Sequence, residues 1–134
     1  MSIEATLNQQ TPRILSIFRI VVGLLFFAHG MSKFFGTPPW TFGPIATFGM
    51  IWFQGLIELI GGGLLALGLF TRPVAFILCG DMAVAYFMSH AAKNFFPHAN
   101  GGLAAVLYCF SFLLLIFAGG GAWSLDRTVR KSTD

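Results

Sequence analysis

Charge is what this chain has least of. Its 134 residues include 8 Lys or Arg and 5 Asp or Glu, a charged share of 10% against ~25% in soluble domains. The basic residues stand singly between apolar segments. The net charge of +3 is therefore no nucleic-acid footprint, and nucleic acid is not an expected partner. Cysteine is equally sparse. Cys79 and Cys109 lie in apolar runs without a CxxC or CxxCH pattern, so neither a dithiol motif nor covalent haem attachment is offered, and both read as small packing residues. His29 and His90 carry no specific metal or haem spacing, so no metal site is expected.

What is abundant is apolar. Hydrophobic residues make up 56% of the chain and 16 are phenylalanine, more apolar surface than a soluble domain of this size can bury. The expected class is an all-α integral membrane protein, a single domain over residues 1–134 whose first partner is the lipid bilayer. Arg13 followed by an apolar run mimics a signal peptide. No small-x-small site precedes a mature domain, however, and Arg19 interrupts the run, so a retained helix is expected.

Residues 1–11 are polar and read as an exposed arm. Pro12 suits the first turn of a helix, which opens a span of about 12–33. At 1.5 Å per residue this is about 33 Å, enough to cross ~30 Å of hydrocarbon. The connection FFGTPPWTFGPIA follows, where Pro38-Pro39 cannot continue a helix and Trp40, with Trp52, suits the headgroup level. A second span of about 46–70 turns at Thr71-Arg72-Pro73 into a third of about 73–92. KNFFPHANGG forms the next connection, a fourth span covers about 103–118, and AWSLDRTVRKSTD is the tail. The expected architecture is a four-transmembrane-helix bundle. Arg13, Arg72, Arg127, Arg130 and Lys131 fall on the side of the termini and Lys33 and Lys93 on the other, so the positive-inside rule places both termini in the cytoplasm, N-in and C-in.

Polar residues inside such spans are the candidates for function. A carboxylate near mid-bilayer costs roughly 2.5–3.5 kcal/mol on insertion scales and is kept where it faces protein, water or a partner. Glu58 stands in WFQGLIELIGGGLLALGLF, one turn after Gln54. It reads either as part of a buried polar site or as half of a structural ion pair that sets helix register. Counting rise per residue from the terminal side, Arg19 lies about 9 Å in, Asp81 about 12 Å and Glu58 about 18 Å. This makes Arg19 the expected partner of Asp81, Glu58 or both, unless it snorkels to the headgroups. His29, Gln54 and His90 share a level roughly 24–26 Å in. Asp81 and His90, nine residues apart, fall on opposite faces of an ideal helix. His29 and Lys33 share a face at the outer mouth. Tyr86 and Tyr108 read either as interface anchors or as donors in a site. The glycines, with Gly55, Gly63, Ala75 and Cys79 among the small residues, suit close helix approach within or between protomers.

These polar positions also carry a resemblance. RIVVGLLFFAHGMSKFFG from Arg19, ELIGGGLLALGLFTRPVA from Glu58, NGG at Asn100–Gly102, LYCF from Leu107 and WSLD from Trp123 together resemble the DoxX family of small four-helix membrane proteins. One position departs: the family usually has glutamate directly after NGG, where this chain has Leu103, leaving Asn100 as the hydrogen-bonding group there. The resemblance implies a bacterial inner-membrane location and a link to redox chemistry, since relatives include the membrane subunit of thiosulfate:quinone oxidoreductases. On that basis the expected role is a redox-associated membrane subunit that holds a quinone or similar amphipathic molecule and takes electrons from a partner protein. Its candidate ligand-binding or proton-handling residues are Arg19, His29, Gln54, Glu58, Asp81, His90, Asn100 and Tyr108, with Phe26, Phe27 and Phe53 able to wall a ring. A non-catalytic scaffold or assembly factor, and a carrier of small solutes or protons, are the alternatives, the last more plausible as a homo-oligomer.

Overall fold

The computed structural model describes residues 2–40 and 43–133, with side chains to Val129. Met1, Thr41, Phe42 and Asp134, parts of the expected arm, connection and tail, lie outside the described residues, as do the side chains of Arg130 and Lys131. Every regular element among the described residues is helical: α1 Ile3–Phe35, α2 Met50–Leu67, α3 Thr71–Ala85, α4 Pro97–Asn100, α5 Leu103–Ala118 and α6 Leu125–Thr133. A π-helical turn, Tyr86–His90, extends α3. Three helices, Ile3–Phe35, Met50–Leu67 and Thr71–His90, are long and apolar enough to cross a membrane, and Leu103–Ala118 is a shorter apolar helix.

Residues 3–11 are largely exposed, as expected of an arm, but they are helical and continuous with α1. Ser2 caps α1 by accepting a hydrogen bond from the Ala5 amide at 3.1 Å, and the helix runs through Pro12. The segment IEATLNQQT is rich in helix-compatible residues. Proline removes only its own N–H, and the carbonyl it leaves without a partner, four residues back at Asn8, belongs to an exposed residue. The second and third helices are also shifted from the expected 46–70 and 73–92. Gly68 and Phe70 both take positive φ, 74° and 53°. That closes a tight hairpin and restarts the helix at Thr71, so Pro73 sits within the first turn, where its missing N–H costs nothing.

α1 packs along α2 and α3 along α5, with a thinner α2–α3 contact joining the two pairs. The α1–α2 contact is backbone against backbone. A methyl group on Gly62 would come within 2.5 Å of the Phe27 amide nitrogen, one on Gly30 within 2.6 Å of the Leu59 nitrogen, and one on Gly23 within 2.6 Å of the Ala66 nitrogen. Gly23 and Gly30 lie seven residues apart on α1, as do Gly55 and Gly62 on α2. Two turns separate each pair, so each helix presents one glycine groove to its neighbour. Gly63, one of the expected packing glycines, faces only the Phe27 ring at ordinary distance, 3.6 Å. Between the pairs lies a core of Phe26, Leu65, Leu78, Phe112 and Leu115.

At the end where the termini lie, the segment after α5 binds the bundle together. Asp126 accepts from the amides of Phe70 and Thr71 at 2.7 and 2.8 Å, a carboxylate placed on the positive end of α3. The Asp126 amide in turn donates to the Gly68 carbonyl at 2.9 Å. Ala122 N–H donates to the Pro12 carbonyl at 3.0 Å, and Trp123 N–H to Ser16 Oγ at 2.9 Å.

Two outcomes follow for thermal unfolding in detergent. Gly62→Ala forces α1 and α2 apart and is expected to cost about 1–3 kcal/mol, in the range of overpacked cores, whereas Gly63→Ala and Gly80→Ala are tolerated. Asp126→Ala removes the cap of α3 and is expected to cost about 0.5–2 kcal/mol, with the loss confined to the N-terminal turns of α3 in hydrogen exchange.

Candidate functional site

Two buried polar groups sit at opposite ends of the bundle. At the loop end, Lys33 Nζ lies 2.9 Å from both carboxylate oxygens of Glu58 and 3.5 Å from Gln54 Oε1. The pair is almost fully enclosed, with side-chain exposures of 6% and 4%. The Lys33 ammonium also lies 5.5 Å from the centre of the Trp40 ring, close enough for a cation–π contact. Asp81 on α3 faces this group. It is near enough to Gln54 for a hydrogen bond and to Glu58 and Lys33 for their charges to act on it. Its Oδ2 is buried with no hydrogen-bond partner among the described residues. Tyr108 on α5 lies within range of the Glu58 charge. The Tyr108 ring is stacked on Phe112, with Phe26 5.3 Å away and His29 edge-on at 6.0 Å. His29 itself is exposed at the rim.

The geometry of antiparallel helices explains the lysine–glutamate pair. Side chains lean toward the N-terminus of their own helix. Lys33, near the end of α1, therefore leans back into the bundle, while Glu58 on α2 leans toward the loop end, and the two converge. The room for the lysine stem is the side chain that Gly55 lacks: a methyl there would sit 3.0 Å from Lys33 Cδ. Counted from the observed helix ends, Glu58 and Asp81 both lie about 14–15 Å from the hairpin that joins α2 and α3.

Arg19 is not the partner of either carboxylate. It lies fourteen residues before Lys33 on α1, about 21 Å along the axis, and like Lys33 leans toward the N-terminus of α1, which for Arg19 is away from both carboxylates. The guanidinium, 1% exposed, donates to the carbonyls of Gly120, Trp123 (3.0 Å) and Ala66 (3.5 Å). These oxygens lie at or just beyond the C-terminal ends of α2 and α5, where helix dipoles favour a cation, and Asp126 contributes an opposite charge nearby. Ser16 Oγ shares the Gly120 carbonyl at 3.1 Å. The Arg19 group ties elements together, although Arg19 Nε and Thr71 Oγ1 are buried without a hydrogen-bond partner among the described residues, and Thr71, Arg72, Asp126 and Arg127 line an open cavity of about 580 Å³ beside it.

His90 and Asn100 form a third, local group. The π-helical turn, marked by the Ala91 amide bonding to the Tyr86 carbonyl at 2.9 Å, carries His90 to the Asn100 carbonyl, 3.2 Å from its Nδ1. The buried Asn100 amide donates to Tyr86 Oη and the Asn94 carbonyl and accepts from Gly102 N–H at 2.7 Å. Tyr86 Oη donates to the Phe95 carbonyl. Every polar atom of the Asn100 side chain is engaged in shaping the 91–102 connection. Leu103 is 52% exposed at the start of α5, so a side chain there projects from the surface.

Of the eight residues expected to matter, Gln54, Glu58 and Asp81 come together with His29 and Tyr108 at the edge, while Arg19, His90 and Asn100 belong elsewhere. Lys33 is the member that the list of eight omits. The available signal was its position four residues after His29, on the same face as that polar residue.

The DoxX family profile matches residues 14–91, which run from the twelfth residue of α1 through the π-helical turn. The chain belongs to the DoxX family. It is 46% identical over 130 residues to an uncharacterized protein of Haemophilus influenzae, covering 93% of this chain and 97% of that one. An uncharacterized membrane protein of Mycobacterium tuberculosis is 29% identical over 142 aligned positions, covering 93% of this chain and 86% of the relative. A Bacillus subtilis protein named "Putative oxidoreductase CatD" is 42% identical over 65 residues, covering 43% of this chain and 46% of its own length. No solved structure matches the chain.

The enclosure of the lysine–glutamate pair has a measurable consequence. Glu58→Leu strands a buried ammonium and Lys33→Met a buried carboxylate, each expected to cost about 3–5 kcal/mol. The double variant Lys33→Met/Glu58→Leu is expected to recover most of that loss. A double-mutant cycle by chemical unfolding in mixed micelles, followed by far-ultraviolet circular dichroism, reads the coupling directly.

Proposed function

We propose that this DoxX-family protein is a redox-associated subunit of the bacterial inner membrane. In this reading the Lys33–Gln54–Glu58–Asp81 cluster binds the polar end of a quinone or similar amphipathic molecule. The observation that carries it is the buried Asp81 oxygen left without a hydrogen-bond partner beside an engaged ion pair. A structural pair would be complete with Lys33 and Glu58 alone; the second acidic group, Asp81, needs a proton, a donor or a ligand. The oxidoreductase name of the Bacillus subtilis relative supports the same reading.

The residues present fit such a ligand. Lys33 and the Gln54 amide are donors for a carbonyl oxygen, His29 and Tyr108 add two more at the rim, and Phe26 offers an aromatic wall. Asp81 or Tyr108 can hold the proton that a reduced carbonyl requires. A quinone, when bound, supplies two-electron, two-proton redox chemistry. The chain's own contribution is to orient the head group, keep water out and deliver protons, while a partner protein supplies electrons.

Four spanning helices with both termini cytoplasmic fit this role. Lys33, counted among the basic residues of the loop side, is neutralised by Glu58. That leaves Lys93 against Arg13, Arg72 and Arg127, with Arg130 and Lys131 behind them, which sharpens the positive-inside asymmetry. α5 has 16 residues, about 24 Å, and a helix this short spans where the bilayer thins around it or its flanks reach the interface. α1, at 33 residues or about 50 Å, carries its first turns beyond the hydrocarbon. The apolar outer faces leave room for a second copy, and a homo-oligomer belongs to the same proposal.

Asp81→Asn is the cleaner probe of ligand binding, because it removes the unpaired acid and leaves the Lys33–Glu58 pair in place. Native mass spectrometry of gently solubilised protein supplied with a short-chain ubiquinone analogue is expected to show a bound molecule in the wild type. At least a tenfold lower occupancy is expected in Asp81→Asn, with helicity unchanged. An analogue bound equally by both proteins places its site elsewhere, and no bound molecule in either favours the scaffold role.

A further inference from the structure

The two cysteines, thirty residues apart in sequence and without a motif, meet in space. Cys79 on α3 and Cys109 on α5 are both free thiols, with sulfurs 3.7 Å apart. Cys109 Sγ also lies 3.6 Å from the Cys79 carbonyl oxygen. A side chain of one helix thus touches the backbone of the other, and the helix separation is within reach of a cross-link, whose sulfurs stand about 2.05 Å apart. The small neighbours Ala75 and Ala105, both buried, keep α3 and α5 close. Cys109 further lines an apolar groove of about 380 Å³ between α3, α5 and the 91–102 connection, walled by Met82, Tyr86, Phe87 and Phe110. The volume is that of a small-molecule site.

We propose that Cys79 and Cys109 form an intramembrane dithiol that a lipid-soluble two-electron acceptor of the quinone class oxidises to an interhelical disulfide. The step balances as two S–H bonds broken and one S–S bond formed, with two electrons and two protons passing to the acceptor, which leaves as the quinol. The groove gives an apolar molecule a path to Cys109, whereas charged oxidants and reductants such as glutathione have none through hydrocarbon. The disulfide joins α3 to α5 within one protomer, across a pair of helices that otherwise touch only through apolar and small residues. The proposal uses a different face of α3 and α5 from the Asp81 cluster and stands whether or not that cluster binds a ligand.

The test uses full-length protein in nanodiscs with a short-chain ubiquinone analogue under anaerobic conditions. Thiols are counted by maleimide labelling after unfolding in detergent, and quinol is followed by its absorbance. The expected result is loss of both labels together, one quinol formed per chain, and a monomer on non-reducing gels that regains both labels after reduction. Cys79→Ser and Cys109→Ser, each retaining wild-type helicity, should keep their remaining thiol and yield no quinol. Two labels persisting in the wild type overturn the proposal. So does a cross-linked dimer, or a loss of label in the wild type that each single variant reproduces.

Discussion

The ion pair between Lys33 and Glu58 is the contact on which the loop half of this molecule depends. In hydrocarbon an unpaired charge has no solvent to fall back on, so each member is tolerable only while the other is in place. The pair in turn imposes its requirements on its surroundings. The lysine stem needs the space that Gly55 leaves open. The backbones must approach as closely as Gly30 and Gly62 permit, and α1 and α2 must run antiparallel so that the two side chains lean together. Register, glycine spacing and charge pairing are one solution to one problem. This is why the glycines matter more here than as generic small residues in a membrane helix.

The far end solves the same problem without a carboxylate in direct contact. Arg19 is satisfied by carbonyl oxygens at the ends of α2 and α5, and Asp126 places its charge on the start of α3. Backbone groups that helix termini leave unpaired become the ligands of one cation and one anion. The WSLD segment and the residues around Gly68 to Thr71 belong to a single construction, since the Asp126 amide and carboxylate both bind the hairpin. Most of the strong polar groups at this end hold elements together, with Arg19 Nε and Thr71 Oγ1 the buried atoms left without a hydrogen-bond partner among the described residues. The unpaired Asp81 oxygen lies at the other.

Much of this was legible from residues alone. The length and purity of the apolar runs announced helices of membrane type, and Glu58 and Gln54, one turn apart, announced a polar face. What composition could not reveal was pairing. Depth counted from provisional helix ends put Arg19 within about 3 Å of the level of Asp81 and made it the expected partner. That count omits the direction in which side chains lean, which draws Lys33 and Glu58 together and Arg19 away. The exposed segment before Pro12 proved helical for a different reason: a proline in an exposed helix costs one hydrogen bond, which a good cap and compatible neighbours outweigh. The convergence of Cys79 and Cys109 was invisible because no local spacing encodes contact between two helices separated by a long connection.

Position 103, where the resemblance leads one to expect glutamate, weighs little in the inner cluster. Leu103 begins α5 with its side chain half exposed, and the hydrogen-bonding work of the NGG turn is done by Asn100, whose amide closes the loop against Tyr86, Asn94 and Gly102. A carboxylate at 103 would favour the positive end of α5 and face outward, toward headgroups or another protein. Its absence therefore leaves the lysine, both acids and the tyrosine of the inner cluster in place. A leucine there keeps the start of α5 apolar on its outer surface.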